Sequence, residues 1–148
     1  MALLYLSPIH KATRQVSMYV EEACSEVGLS ATEGHVLSYL RSYSPAPVSE
    51  LHRVFGLKRS TLTGVLDRLE QRGLLEREPS TRDRRAIMVR LTEPGRSHAD
   101  RVQQVLEALE AAISARVGSA DLRGFLAVMS ALAAATGVAV VSRRPGGA

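Results

Sequence analysis

Apolar residues in this chain recur mostly three and four positions apart, and the spacing drops to two in one region only. The first pattern marks one face of an α-helix; alternation marks a half-buried strand. Ile9, Ala12, Thr13, Val16, Val20, Ala23 and Val27 predict a helix over 8–27, with Ser7 as N-cap, Pro8 in the first helical position and Gly28 as the stop. Ser30-Ala31-Thr32-Glu33 has the form of a capping box. It opens a second helix over 31–43 whose Val36, Leu37 and Leu40 face inward. Ser44-Pro45-Ala46-Pro47 cannot continue that helix and reads as a loop. A short helix over 48–55 stops at Gly56, and another over 59–72 follows almost at once, with Leu62, Val65, Leu66 and Leu69 on one face and Gly73 at its end. Two helices around a tight glycine-containing turn are a helix-turn-helix pattern.

The period then changes. Residues 74–78 read as a strand, 79–84 as a turn and 85–91 as a second strand with Ile87, Val89 and Leu91 on one face. A β-hairpin attached to the second helix of such a pair makes a winged helix-turn-helix. Thr92 then caps a helix with Pro94 in its first turn. It extends to about 117, roughly 36 Å, with Val102, Val105, Leu106, Leu109 and Ile113 along one face. Gly118 breaks it, and a last helix capped by Ser119 runs to 136 with Leu122, Phe125, Leu126, Met129 and Leu132 apolar. A helix that long is not covered by one small domain; a hairpin of the last two helices, packed with the first against a second copy, predicts a symmetric homodimer. The fold class expected is mainly α with a small β-wing (α+β), in a single domain: a DNA-binding lobe over 30–92, a dimerisation region over 7–28 and 93–137, and a flexible tail over 138–148.

Composition narrows the function. One cysteine, Cys24, excludes an intrachain disulfide and fits a reducing cytoplasm. The start MALLYLSPIH lacks the basic region and apolar length of a signal peptide, and no apolar run nears the roughly 20 residues of a membrane span. No Gly-rich phosphate loop, nucleophile elbow or paired metal-ligand motif occurs, so neither an enzyme nor a cofactor is expected. The net charge of +4 is localised. Lys58, Arg59, Arg68, Arg72, Arg77, Arg82, Arg84, Arg85 and Arg90 face only Asp67, Glu70, Glu76, Glu78 and Asp83 within the same segment, and the remainder of the chain is neutral. Such a stripe is the footprint of a nucleic-acid binder.

The run Ser60-Thr61-Leu62-Thr63-Gly64-Val65-Leu66-Asp67-Arg68-Leu69-Glu70, then Arg72-Gly73-Leu74, then Asp83-x-Arg85 followed by Leu91-Thr92-x-x-Gly95, resembles the MarR family of bacterial transcription factors over nearly the whole chain. That resemblance implies a homodimer on a palindromic double-stranded DNA operator, most often a repressor. The helix over 59–72 would enter the major groove, bringing Lys58, Arg59, Ser60, Thr61, Thr63, Gly64 and Arg68 to the duplex. Arg85 would enter the minor groove, with Arg82 and Arg84 on the backbone. Asp83 would orient an arginine or close the turn through its own backbone.

The resemblance also raises the question of a signal. Relatives respond to small aromatic effectors, to peroxide through a cysteine near the start of the first helix, or to zinc. Cys24 lies near that helix's end and reads as a small packed hydrophobe. Cys24, Glu33 and His35 match half of the zinc pattern, but Gln103, Gln104 and Glu107 stand where histidines would complete it, so no metal is expected. His10, His52 and His98 read as surface or helix-end residues. Many relatives carry an aromatic where Gly34 stands, which leaves the effector-binding residues unknown. The competing function is a winged-helix module used only for protein contacts; clustered charge argues against it, since interface cores are poor in charge.

Overall fold

The computed structural model describes residues 2–138. Six helices and a small antiparallel sheet follow in the order α1 (Leu6–Ser25), α2 (Ala31–Tyr43), β1 (Ala46–Pro47), α3 (Val48–Phe55), α4 (Arg59–Gln71), β2 (Leu75–Pro79), β3 (Ile87–Leu91), α5 (Glu93–Ser114) and α6 (Ser119–Thr136). The expected tail over 138–148 lies, beyond Val138, outside the described residues.

Local signals account for most of these boundaries. The capping box at α2 forms as expected: Ser30 Oγ accepts the Glu33 N–H at 3.1 Å, and Glu33 Oε2 accepts the Ser30 N–H at 3.0 Å. Thr92 caps α5 by accepting the Gly95 N–H, and its own hydroxyl donates to the Gly73 carbonyl at 2.6 Å. One hydroxyl thus ties the start of α5 to the end of α4. Gly95 is there for a second reason: a Cβ at this position would overlap the Leu74 carbonyl, so α5 approaches the start of β2 backbone to backbone.

Several expectations change. Ser7 is not the N-cap of α1, which begins at Leu6 behind Tyr5 with no side-chain cap. The same helix ends at Ser25, not Val27, because the Leu29 N–H reaches back to the Cys24 carbonyl and curls the chain, with Gly28 left-handed (φ +69°). Ser119 is the first residue of α6, not its cap; Gly118 holds the cap position and its N–H donates to the Asp121 carboxylate at 2.8 Å. Ala46-Pro47 is a strand, not a loop, pairing Ala46 with Val89 and Pro47 with Met88. The sheet order is therefore β1-β3-β2, and a proline is tolerated because β1 is an edge strand.

The core is one cluster. Val20 and Cys24 of α1, Val36, Leu37 and Leu40 of α2, Leu51 of α3, Leu62, Val65, Leu66 and Leu69 of α4, Leu75, Val89 and Leu91 of the sheet, and Ala99 and Val102 of α5 are all buried. Ile87, expected on the same face as Val89 and Leu91, is 41% exposed, because the hairpin extends past the core at that point. Burial also fades along α5, from Val102 to the exposed Ile113, and α6 buries none of its residues.

Candidate nucleic-acid interface

The helix-turn-helix and the wing form a cleft of about 550 Å³ between α3, α4 and β3. Arg59 and Thr63 line it from α4, Asp83, Arg85 and Ile87 from the wing, and Ser49 and His52 from α3. Residues separated in sequence, Arg59, Thr63 and Arg85, are thereby brought to one concave surface. Ser49 and His52 were missed as contributors, since a lone serine and histidine on a short helix carry no distinguishing pattern.

The start of α4, unlike those of α2 and α5, is left uncapped by side chains, and no acid stands in its first turn. Its leading backbone N–H groups point outward beside Lys58 and Arg59, and a helix N-terminus of this kind favours negative charge. Lys58, Arg59, Ser60 and Thr61 are all exposed. Thr63 is exposed too, but its hydroxyl donates to the Arg59 carbonyl at 2.9 Å, so in this rotamer it can accept from a base amino group and not donate to a phosphate. Gly64 is sterically open: an added Cβ would meet only the Arg68 guanidinium at 3.4 Å, so no backbone crowding inside the protein requires glycine there.

The wing turn is shaped by its own side chains. Ser80 Oγ accepts the Arg82 and Asp83 N–H groups, and the Asp83 carboxylate accepts the Arg85 N–H at 2.9 Å. The Asp83 carboxylate thereby braces the turn through the Arg85 amide. Arg82, Arg84 and Arg85 remain exposed.

The nine bases of the stripe divide into two sets. Arg77 reaches from β2 to Asp67 at 2.6 Å and donates through Nε to Glu70 at 3.1 Å, while its N–H donates to Glu70 as well. This bracket fastens the wing to α4, and Arg77 holds the Glu70 carboxyl below the usual carboxylate range. Arg90 pairs across the hairpin with Glu78 at 2.6 Å. Arg72 donates to the carbonyls of Gly28 and Val27. Arg68, grouped by sequence with the duplex contacts, donates through Nε to Glu33 at 2.8 Å. Lys58, Arg59, Arg82, Arg84 and Arg85 form no ion pair among the described residues, and all five lie at the start of α4 or on the wing.

The residues weighed as sensors are placed as follows. Cys24 is 2% exposed, and its thiol occupies the space that a side chain at Gly34 would need, against Val102. The position where relatives carry an aromatic is thus filled by sulfur from α1. Burial, reinforced by the Glu33 carboxylate, pushes the Cys24 thiol pKa up. Burial alone would raise the Glu33 pKa as well, but the Arg68 guanidinium and the Ser30 N–H outweigh it and hold the carboxyl below its usual range. No cluster of three or more His, Cys, Asp or Glu residues arranged to hold a metal occurs among the described residues. His35 has a buried Nε2 without a hydrogen-bond partner, and burial pushes its pKa down. It opens on a cleft of about 220 Å³ with Ser38, Tyr39, Val54, Phe55 and Leu106.

Taken together, helix pair, three-stranded wing and flanking helices define a winged helix-turn-helix protein of the kind that carries a basic face for nucleic acid. The model of the MarR family matches residues 29–87. The chain is 33% identical over 104 residues to the HTH-type transcriptional regulator PecS of Dickeya dadantii, a match covering 68% of this chain and 62% of PecS. It is 29% identical over 98 residues to the multiple antibiotic resistance protein MarR of Escherichia coli, covering 66% of this chain and 68% of that protein. Its fold superposes on S. aureus MepR in a DNA-binding conformation with a TM-score of 0.83 at 14% identity, covering 90% of this chain and 99% of MepR. A mutant E. coli MarR complexed with operator DNA gives a TM-score of 0.73 at 23% identity, covering 85% and 91%. The chain is thus similar to the MarR family of transcriptional regulators, and it spans about 62% of the length of PecS. Among the described residues no single helix is long and apolar enough to cross a membrane.

Proposed function

We propose that the protein is a homodimeric, sequence-specific repressor that binds a palindromic double-stranded DNA operator in the cytoplasm and leaves it when a small aromatic acid binds. The observation that carries this reading is the sorting of charge: every base of the stripe that lacks an internal partner lies at the start of α4 or on the wing. Lys58, Arg59 and the uncapped amides of α4 suit phosphate, Ser60, Thr61, Thr63 and the open Gly64 suit close approach to base edges, and Arg85 suits a narrow minor groove, with Arg82 and Arg84 on the backbone. The dimer is supported by apolar surface that one copy leaves uncovered on α1 and α6. MepR and MarR, similar in fold, have been captured in a DNA-binding conformation and on operator DNA.

Effector release is supported by the cleft at His35, between α2, α3 and α5: apolar walls surround a neutral imidazole whose Nε2 lacks a partner. The test is selection of bound sequences from a random duplex pool, followed by titration of the selected complex with salicylate. Enrichment of a palindrome with half-sites one helical turn apart supports the reading; no enriched sequence favours a protein-contact module instead. Release by salicylate in wild type but not in His35→Ala would place the effector at this cleft.

A further inference from the structure

Glu33 is the one buried charged residue among the described residues. A carboxylate taken out of water needs partners, because its desolvation is otherwise uncompensated. Both of its oxygens are engaged: Oε2 with the Ser30 N–H inside α2, and Oε1 with Arg68 Nε on α4. One turn further on, at the C-cap of α4, Arg72 donates Nη1 to the Gly28 carbonyl at 2.6 Å and Nη2 to the Val27 carbonyl at 3.1 Å. Arg68 and Arg72 are four residues apart and so share a face. That face is turned to the corner where α1 runs into α2, not to the cleft that holds Arg59, Thr63 and Arg85. Immediately behind the corner, Cys24 of α1 packs on Gly34 of α2 and lies beside Val102 of α5.

We propose that Glu33 and Arg68, seconded by Arg72, are positioning residues: a latch that sets the angle of the recognition helix on the helices that carry the dimer. Arg68 acts through Glu33 and does not neutralise phosphate. This rests on the DNA-binding reading above. In a two-fold dimer a small tilt of each α4 changes the distance between the two recognition helices, which must match one duplex turn, about 34 Å. Freeing the latch weakens operator binding through geometry while every phosphate contact remains available.

The experiment uses the full chain and its selected operator, with affinity measured by fluorescence anisotropy across a range of KCl concentrations. Arg68→Ala and Glu33→Gln are compared with Arg84→Ala. Glutamine keeps an acceptor for the cap while losing the charge, and Arg68 has a side chain 57% exposed, so its truncation leaves the core intact. The latch predicts that each of the first two variants weakens binding about 3- to 30-fold. Their slope of log K against log salt should match wild type, while Arg84→Ala, at a backbone-facing position of the wing, should lower that slope by about one. The double variant should be no weaker than either single one, because both break one link. Operators with one base pair inserted or removed between half-sites should also be discriminated less sharply by the latch variants than by wild type. A slope reduced by about one in Arg68→Ala, or affinity kept or raised in Glu33→Gln, would overturn the latch and return Arg68 to the phosphate contacts. A wild-type chain that enriches no operator would overturn the DNA-binding reading itself, and with it any role for a latch in positioning α4 on DNA.

Discussion

Phe125 in the middle of α6 is 58% exposed, and its neighbours Leu122 and Leu126 are 54% and 52% exposed. A phenylalanine offers about 200 Å² of surface, so roughly 115 Å² of it is left in water. Covering that area is worth about 3 kcal/mol at 25 cal/mol per Å², and a two-fold interface counts it twice. Association consumes part of such a gain in lost freedom, and the area left open need not be fully covered. About half the doubled figure, 3 kcal/mol, is therefore the working estimate for Phe125→Ala, equivalent to a dimer dissociation constant raised on the order of 100-fold. Because α6 buries none of its residues in one copy, the substitution removes no packing from the subunit core. Sedimentation velocity across a dilution series reads the dissociation constant, and a thermal melt at high concentration checks that the fold is kept. An unchanged dissociation constant, with a normal melt, would refute the assignment of this face to the dimer.

Arg85→Ala should weaken operator binding by about 1–3 kcal/mol in an anisotropy titration; unchanged affinity would reject its role in the wing. Gly95→Ala should destabilise the fold by about 2–3 kcal/mol in urea unfolding, because the obstructing atoms belong to the Leu74 backbone and cannot rotate away; a neutral outcome would mean that α5 can lift from β2 at little cost. The Cys24 thiol should react with iodoacetamide far more slowly at pH 7 in the native protein than in urea, since burial and then Glu33 raise its pKa and thin the reactive thiolate. Similar rates in the two conditions would reopen a redox role.

What could be read in the chain beforehand is what depends on neighbours a few residues away. The capping box at Ser30 and Glu33, the Thr92 cap, the stripe of α4 and the change of period at the wing are all written within one or two turns of chain. β1 escaped because a two-residue strand containing proline has no local signature; it exists only because Val89 and Met88 stand opposite it. The exposure of Ile87 escaped for a related reason, since alternation identifies a face but not how far the core beneath it extends. The end of burial along α5 and α6 likewise follows from what packs on them, which their own spacing cannot express.

The same limit applies to charge, with a larger consequence for function. The nine bases between Lys58 and Arg90 look alike in sequence, and the stripe reads as one surface. In three dimensions Asp67 and Glu70 hold Arg77, Glu78 holds Arg90, Glu33 holds Arg68 from a different helix, and two carbonyls hold Arg72. These four arginines are held at the wing, the hairpin and the corner behind α4. The bases left without an internal partner lie at the start of α4 and on the wing. Charge reversal should therefore divide the set in two: changes at Lys58, Arg59, Arg82, Arg84 and Arg85 should act mainly on the salt dependence of binding, and changes at Arg68, Arg72, Arg77 and Arg90 mainly on the shape that presents it.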